Sequence, residues 1–316
     1  MTNISHQENV VLNENKEIYN PINVNTVSVI IKCLFCSIGI PLNVSIAATI
    51  IRLRRLRCSP RNVFLLGITL SYLSFSIPPA IELIYWGMYP IESVCHAYVA
   101  VAAVPQGLLV VNMLLALIDR YLAINHPMFH RRKMTTRFAG CLIITSSATI
   151  VFLMKFVYIA QLDTIRCEIL LVQVNINFVT ITALFASCIV LNIIIHRKTK
   201  TLLRESRTLK ATKDDRDVSN DDIAVTPMSI HADREKVGEM EMEAARTLMI
   251  GLASLCAMPC LALIFNATSF ACRLIYGQLA CAKLLNIIPF IKEFSLTPAI
   301  YGPVIFLARN KELSAT

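Results

Sequence analysis

The chain has 316 residues, 55% of them hydrophobic and only 16% charged, with a mean hydropathy of +0.60. That balance excludes an ordinary soluble domain and points to a polytopic membrane protein. A net charge of +9 would suit nucleic acid, but the basic residues stand in short clusters beside apolar runs, without an aromatic-interleaved platform; they mark cytoplasmic loops, not a nucleic-acid surface.

Residues 1–25 are polar and lack a basic-then-apolar signal pattern, so they read as a short outer tail. Asn3-Ile4-Ser5 is a glycosylation sequon in that tail. The first apolar span runs from about Val27 to Ile51 and ends in Arg52, Arg54, Arg55 and Arg57, which places the amino terminus outside. Asn43 lies in its inner half, where a buried amide must find partners and so pins neighbouring helices. A second span covers about Val63 to Tyr85, opened by Ser59-Pro60, and Pro78 and Pro79 kink its outer half. Glu82, Trp86 and Glu92 are expected at the outer interface, Trp86 as an anchor.

The third span begins near Cys95 and carries no charge from Ala97 to Ile118, enough to cross ~30 Å of hydrocarbon at ~1.5 Å per residue. It stops at Asp119-Arg120-Tyr121, with Pro127 just beyond. His130 to Lys133 and Arg137 form a basic inner loop. His126 and His130 have helical spacing but no carboxylate or imidazole partners in that loop, so they are expected to be solvated and no metal site is predicted. The fourth span, about Phe138 to Ala160, holds Lys155, expected to snorkel outward.

An outer loop from Gln161 to about Val172 contains Cys167, and a fifth span covers about Asn175 to Ile195. Residues 197–243, including KDDRDVSNDD, are too polar to offset their ordering entropy; they read as a third inner loop, disordered in its middle, whose ends extend the flanking helices. The sixth span, about Arg246 to Phe270, is kinked by Pro259, which removes a ladder hydrogen bond. The seventh, about Leu284 to Leu307, contains Lys292 and Glu293, which must face the bundle interior or each other. Of the 11 cysteines, Cys33, Cys36, Cys141, Cys188, Cys256 and Cys260 fall in apolar spans and are expected to be buried.

Cys95, Asp119-Arg120-Tyr121 and Pro127, in this register, resemble the third helix of the rhodopsin-like G-protein-coupled receptors. Asn43 after Gly39, Asn62, Cys256-Ala257-Met258-Pro259 and Thr297-Pro298-Ala299-Ile300-Tyr301 resemble the same family's other helices. The resemblance implies an all-α bundle of seven transmembrane helices over residues 26–309. A short amphipathic eighth helix would start around Phe306 and Arg309-Asn310-Lys311, with residues 310–316 a cytoplasmic tail. It implies a plasma-membrane protein with an outer amino terminus, and a disulfide between Cys95 and Cys167. Cys272 and Cys281 bracket another outer loop and are candidates for a second bridge, their connectivity left open by the sequence.

Several positions depart from the family pattern. Tyr72 stands where the family has a sodium-binding aspartate, Ala257 where it has a tryptophan, and Thr297 where it has an asparagine. Ala253 replaces an aromatic, Asn192 a tyrosine, and the usual proline near Leu184 and tryptophan near Ser147 are missing. With Tyr72, Leu109, Phe294 and Thr297 at the sodium positions, sodium should not stabilise a closed state and basal activity is expected.

The function implied is conversion of an extracellular ligand into activation of a heterotrimeric G protein, with no cofactor and no catalytic constellation. The switch residues would be Asp119, Arg120, Tyr121, Pro127, Pro259, Pro298 and Tyr301. Glu239 and Glu241 would pair with Arg120 or form a solvated acidic face. On the outer half of the third helix Tyr98, Val99, Ala102, Ala103 and Gln106 share one face by spacing and are pocket candidates, with Glu82 and Glu293. Ala102 sits where amine receptors carry an aspartate, and Ile291 where opsins carry lysine. The ligand is therefore expected to be peptide or lipid-like, neither a monoamine nor retinal. The alternatives are a ligand-binding or scavenging receptor that does not couple, and a transporter. A transporter would explain Lys292 and Glu293, but no internal repeat supports it.

Overall fold

The computed structural model describes residues 26–53, 58–87, 92–160, 171–217, 293 and 296–309. Among them every regular element is helical. In chain order these are α1 (Thr26–Arg52), α2 (Pro60–Ser74), α3 (Ile77–Gly87), α4 (Glu92–Val101), α5 (Val104–Asn125), α6 (Pro127–Lys133), α7 (Thr136–Met154), α8 (Phe156–Ile159), α9 (Leu171–Asp217) and α10 (Pro298–Arg309). Among the described residues five spans are long and apolar enough to cross a bilayer: α1, α2 with α3, α4 with α5, α7, and Ile176–Thr201 within α9.

Local chemistry explains where the helices start and break. Pro60 and Pro127 open α2 and α6, where a missing N–H costs no hydrogen bond. Thr135 caps α7 by accepting from the Phe138 N–H at 3.2 Å. The second span breaks at Phe75 and Ser76, just before the two prolines of α3. The third, expected to be one helix, breaks between α4 and α5: Ala103 has φ 68°, in the left-handed region, and Pro105 follows in the first turn of α5. The fifth runs past its expected end near Ile195 to Asp217, so the inner loop's first part continues the helix.

α5 is the centre of the bundle and packs against α2, α7 and α9, while α1 packs on α2 and α10. Phe64, Ile68, Leu109, Met113 and Leu117 form the buried core between α2 and α5. The outward faces are as apolar as the core: Ile30, Leu34 and Ile38 of α1 are each at least half exposed. That pattern belongs to helices solvated by lipid. Cys33 and Cys141, expected inside, lie on such outward faces, whereas Cys188 is fully buried.

Candidate functional site

Three ionisable side chains meet in the outer half of the bundle. Lys32 of α1 pairs with Glu82 of α3 and lies 3.0 Å from Glu293, all three nearly inaccessible to solvent. Ser28, one turn before Lys32, accepts from its ammonium at 2.7 Å and donates to Glu293 Oε1 at 2.5 Å. Helical i, i+4 spacing places Ser28 and Lys32 on one face of α1. Glu82 is thus not at the outer interface, because the ammonium on α1 draws it inward. Trp86, a turn further out, is 57% exposed. Glu293 faces the interior, where it meets Lys32; Lys292 lies outside the described residues.

This cluster lines a cavity of about 100 Å³. Pro78, Pro79, Phe75 and Leu296 supply apolar wall, and Tyr98, Ala102, Ala103 and Gln106 form the third-helix side. Val99, expected on the same face, is not part of the wall. It packs with Cys95 and Tyr98 against Ile81, Tyr85 and Tyr158, since the break at Ala103 interrupts the helical register.

Lys155, expected to snorkel outward, points inward and is 7% exposed. Its ammonium donates to the carbonyls of Val99 at 2.8 Å and Ala102 at 3.0 Å, at the carboxyl end of α4. A helix end carries carbonyls without intrahelical partners and a negative dipole end, so a cation there is favourable and water is not needed. The break in the third span and the lysine on the fourth explain each other.

At the bundle centre Tyr72 is 2% exposed, and its ring lies so close to Gly302 of α10 that any side chain at that position would overlap it. Asn43 donates to the carbonyls of Gly39 at 2.8 Å and Ala299 at 3.0 Å, joining α1 to α10. Asn112 donates to Ser71 Oγ at 2.7 Å, joining α5 to α2. These contacts fill the middle of the bundle with an aromatic ring and neutral amides.

At the inner end of α5, Asp119 and Arg120 are 3% and 4% exposed. Asp119 Oδ2 lies 3.8 Å from the Arg120 guanidinium, and Oδ1 lies 2.8 Å from His130 Nε2. His130, expected to be solvated, is therefore bound to the buried aspartate. α6 turns back at His126 and Pro127, which carries the ring from the loop to the end of α5.

With the geometry in view, comparison with known proteins places the chain. Residues 42–301 match the 7 transmembrane receptor (rhodopsin family). The chain belongs to that family. The receptor is similar to the human D(1B) dopamine receptor, 32% identical over 104 residues, which is 31% of this chain and 21% of that receptor. It is also similar to the D(1A) dopamine receptor of Didelphis virginiana, 29% identical over 122 residues, 36% of this chain and 26% of that one. The D(1)-like dopamine receptor of Takifugu rubripes matches at 28% over 120 residues, again 36% and 26%. The receptor thus spans about a quarter or less of the length of these relatives. Family membership makes it a multi-pass plasma-membrane receptor of the all-α bundle type, not an enzyme.

Cys95 is buried and held in a disulfide. Cys167, Cys272, Cys281, Glu239, Glu241, Pro259 and Asn3 lie outside the described residues. Pro298 opens α10, and Tyr301 and Phe306 follow in that one helix, so no new helix starts at Phe306. Tyr121 is half-buried at the end of α5 and Pro127 starts α6. Reading the receptor's sequence missed Lys32, Ser28, His130 and Lys155 as partners. A signal for Lys32 was present: a lone charge inside an apolar span demands a counter-charge.

Proposed function

We propose that this receptor converts binding of an extracellular peptide or lipid-like ligand into activation of a heterotrimeric G protein. The observation that carries the reading is the arrangement along the third span. A cavity opens beside Ala102 and Gln106 at one end, and a buried Asp119–Arg120 pair, bound to the half-buried His130, stands at the other. A ligand that binds an open state more tightly than a closed one shifts the equilibrium, and unpairing Asp119 from its partners frees the Arg120 cation for a partner protein. Pro127, Pro259, Pro298 and Tyr301 belong to the same switch, with Glu239 or Glu241 as further partners of Arg120. The Cys95 disulfide is assigned to Cys167.

The similar dopamine receptors bear the name of a monoamine, yet Ala102 offers no carboxylate at the third-helix position where amine receptors use one. The missing carboxylate supports a ligand other than a monoamine, and Ile291 argues against retinal. Nanomolar activation by a monoamine that survives mutation of Glu82 and Glu293 would refute that part.

Nucleotide exchange on purified G proteins of each class, with the receptor in lipid discs, tests the coupling. Exchange above the empty-disc level is expected with at least one class. Silence with every class would favour the second reading, a ligand-binding receptor that does not couple, which Tyr72, Ala257 and Thr297 support because each replaces a family switch residue.

A further inference from the structure

Among the described residues, the buried cluster on α1, α3 and Glu293 brings one ammonium and two carboxylates together. Its hydrogen bonds are unevenly shared. Glu293 Oε1 accepts from Ser28 and faces Lys32 at 3.0 Å, whereas Oε2 is buried and has no hydrogen-bond partner among the described residues. A buried carboxylate oxygen left without a donor is unfavourable, and a charged donor satisfies it most strongly. The Glu293 side chain is 5% exposed and forms part of the cavity wall, so a ligand in that cavity can supply the missing donor.

We propose that this cavity takes a cationic head group, an ammonium or amidinium, on Glu293 Oε2. The inference rests on the receptor reading above and narrows its ligand class to a peptide with a free amino terminus or basic side chain. A neutral lipid brings no charge, and an anionic one meets two carboxylates. The volume agrees: about 100 Å³ admits a head group, whereas pockets that enclose a whole drug-sized ligand run to ~300–1,000 Å³. Apolar walls at Pro78, Pro79 and Leu296 keep water from screening the contact. Lys32 already competes for the same carboxylates as a tethered ammonium, so the incoming cation completes the cluster instead of building it.

The test uses full-length receptor in lipid discs, with benzamidine as the charged probe and benzamide as its neutral isostere, titrated by ligand-observed NMR. Benzamidine should bind at least ~10-fold tighter than benzamide, because both offer an N–H donor but only the amidinium makes a charge-assisted bond to the carboxylate. Equal binding of the two would overturn the proposal, and this comparison needs no variant. Glu293→Gln should bring benzamidine down to the benzamide level; an undiminished preference there would also overturn it. Lys32→Met removes the internal competitor and should tighten benzamidine by ~10-fold. If that variant does not fold, Lys32→Met/Glu82→Gln keeps one carboxylate at Glu293 and should still prefer benzamidine. Arg-Phe amide against dopamine as competitors of benzamidine then addresses the source of the cation. Better competition by dopamine would refute the peptide reading while supporting the cation site, and nucleotide exchange remains a separate readout of coupling.

Discussion

Lys32 and Glu293 stand 3.0 Å apart at opposite ends of the chain, one on the first helix and one beside the last, and Glu82 of the second span meets the same ammonium. Breaking one partner of such a buried pair leaves the other charge uncompensated in an apolar surround. Lys32→Met should therefore destabilise the receptor by ~3–5 kcal/mol, and by more than Glu293→Met, which leaves the Lys32–Glu82 pair in place. The exchange Lys32→Glu/Glu293→Lys should recover part of the loss. Thermal unfolding in detergent reads this, and additive losses with no recovery in the exchange would show that the two side chains do not interact.

Ala103 sits at φ 68°, where an L-residue with a Cβ is strained by ~1–2 kcal/mol and glycine is not. Ala103→Gly should raise the unfolding temperature, against the usual direction for glycine in a span. Lys155→Met should lower it, because the carbonyls of Val99 and Ala102 lose their donor, at ~1–3 kcal/mol for unsatisfied buried groups. A stabilised Lys155→Met receptor would mean that the break between α4 and α5 does not depend on the lysine.

Arg120 is 4% exposed and 3.8 Å from Asp119. Arg120→Ala should abolish nucleotide exchange while leaving ligand binding at the cell surface. Exchange that persists undiminished would show that the resemblance misleads about mechanism.

Sodium should leave both agonist affinity and basal exchange unchanged against a potassium control at constant ionic strength, because Tyr72 occupies the bundle centre against Gly302. A sodium-specific fall in either, lost in Glu293→Gln, would show that a sodium site has moved to that carboxylate. Gly302→Ala should cost ~1–3 kcal/mol through overlap with the Tyr72 ring. An unchanged unfolding temperature would place the ring elsewhere.

The apolar spans, their orientation and the family were all legible in the sequence. Hydropathy over a span, basic residues at its end and a short motif such as Asp119-Arg120-Tyr121 are local properties, readable without knowing what lies opposite. The partners of the buried charges were not local. Lys32 and Glu82 come together only because α1 packs beside α3, and the sequence had placed Glu82 at the interface and Glu293 beside Lys292. Lys155 and His130 were assigned to solvent by the same reasoning, since their acceptors lie on a neighbouring helix or beyond a turn. Each residue along a helix turns the side chain by ~100°, so which ionisable group faces which depends on helix rotation and on breaks such as Ala103. Only packing settles those angles, and in a medium that offers no water to a stray charge, those angles decide which groups are paired and which oxygen at Glu293 is left for a ligand.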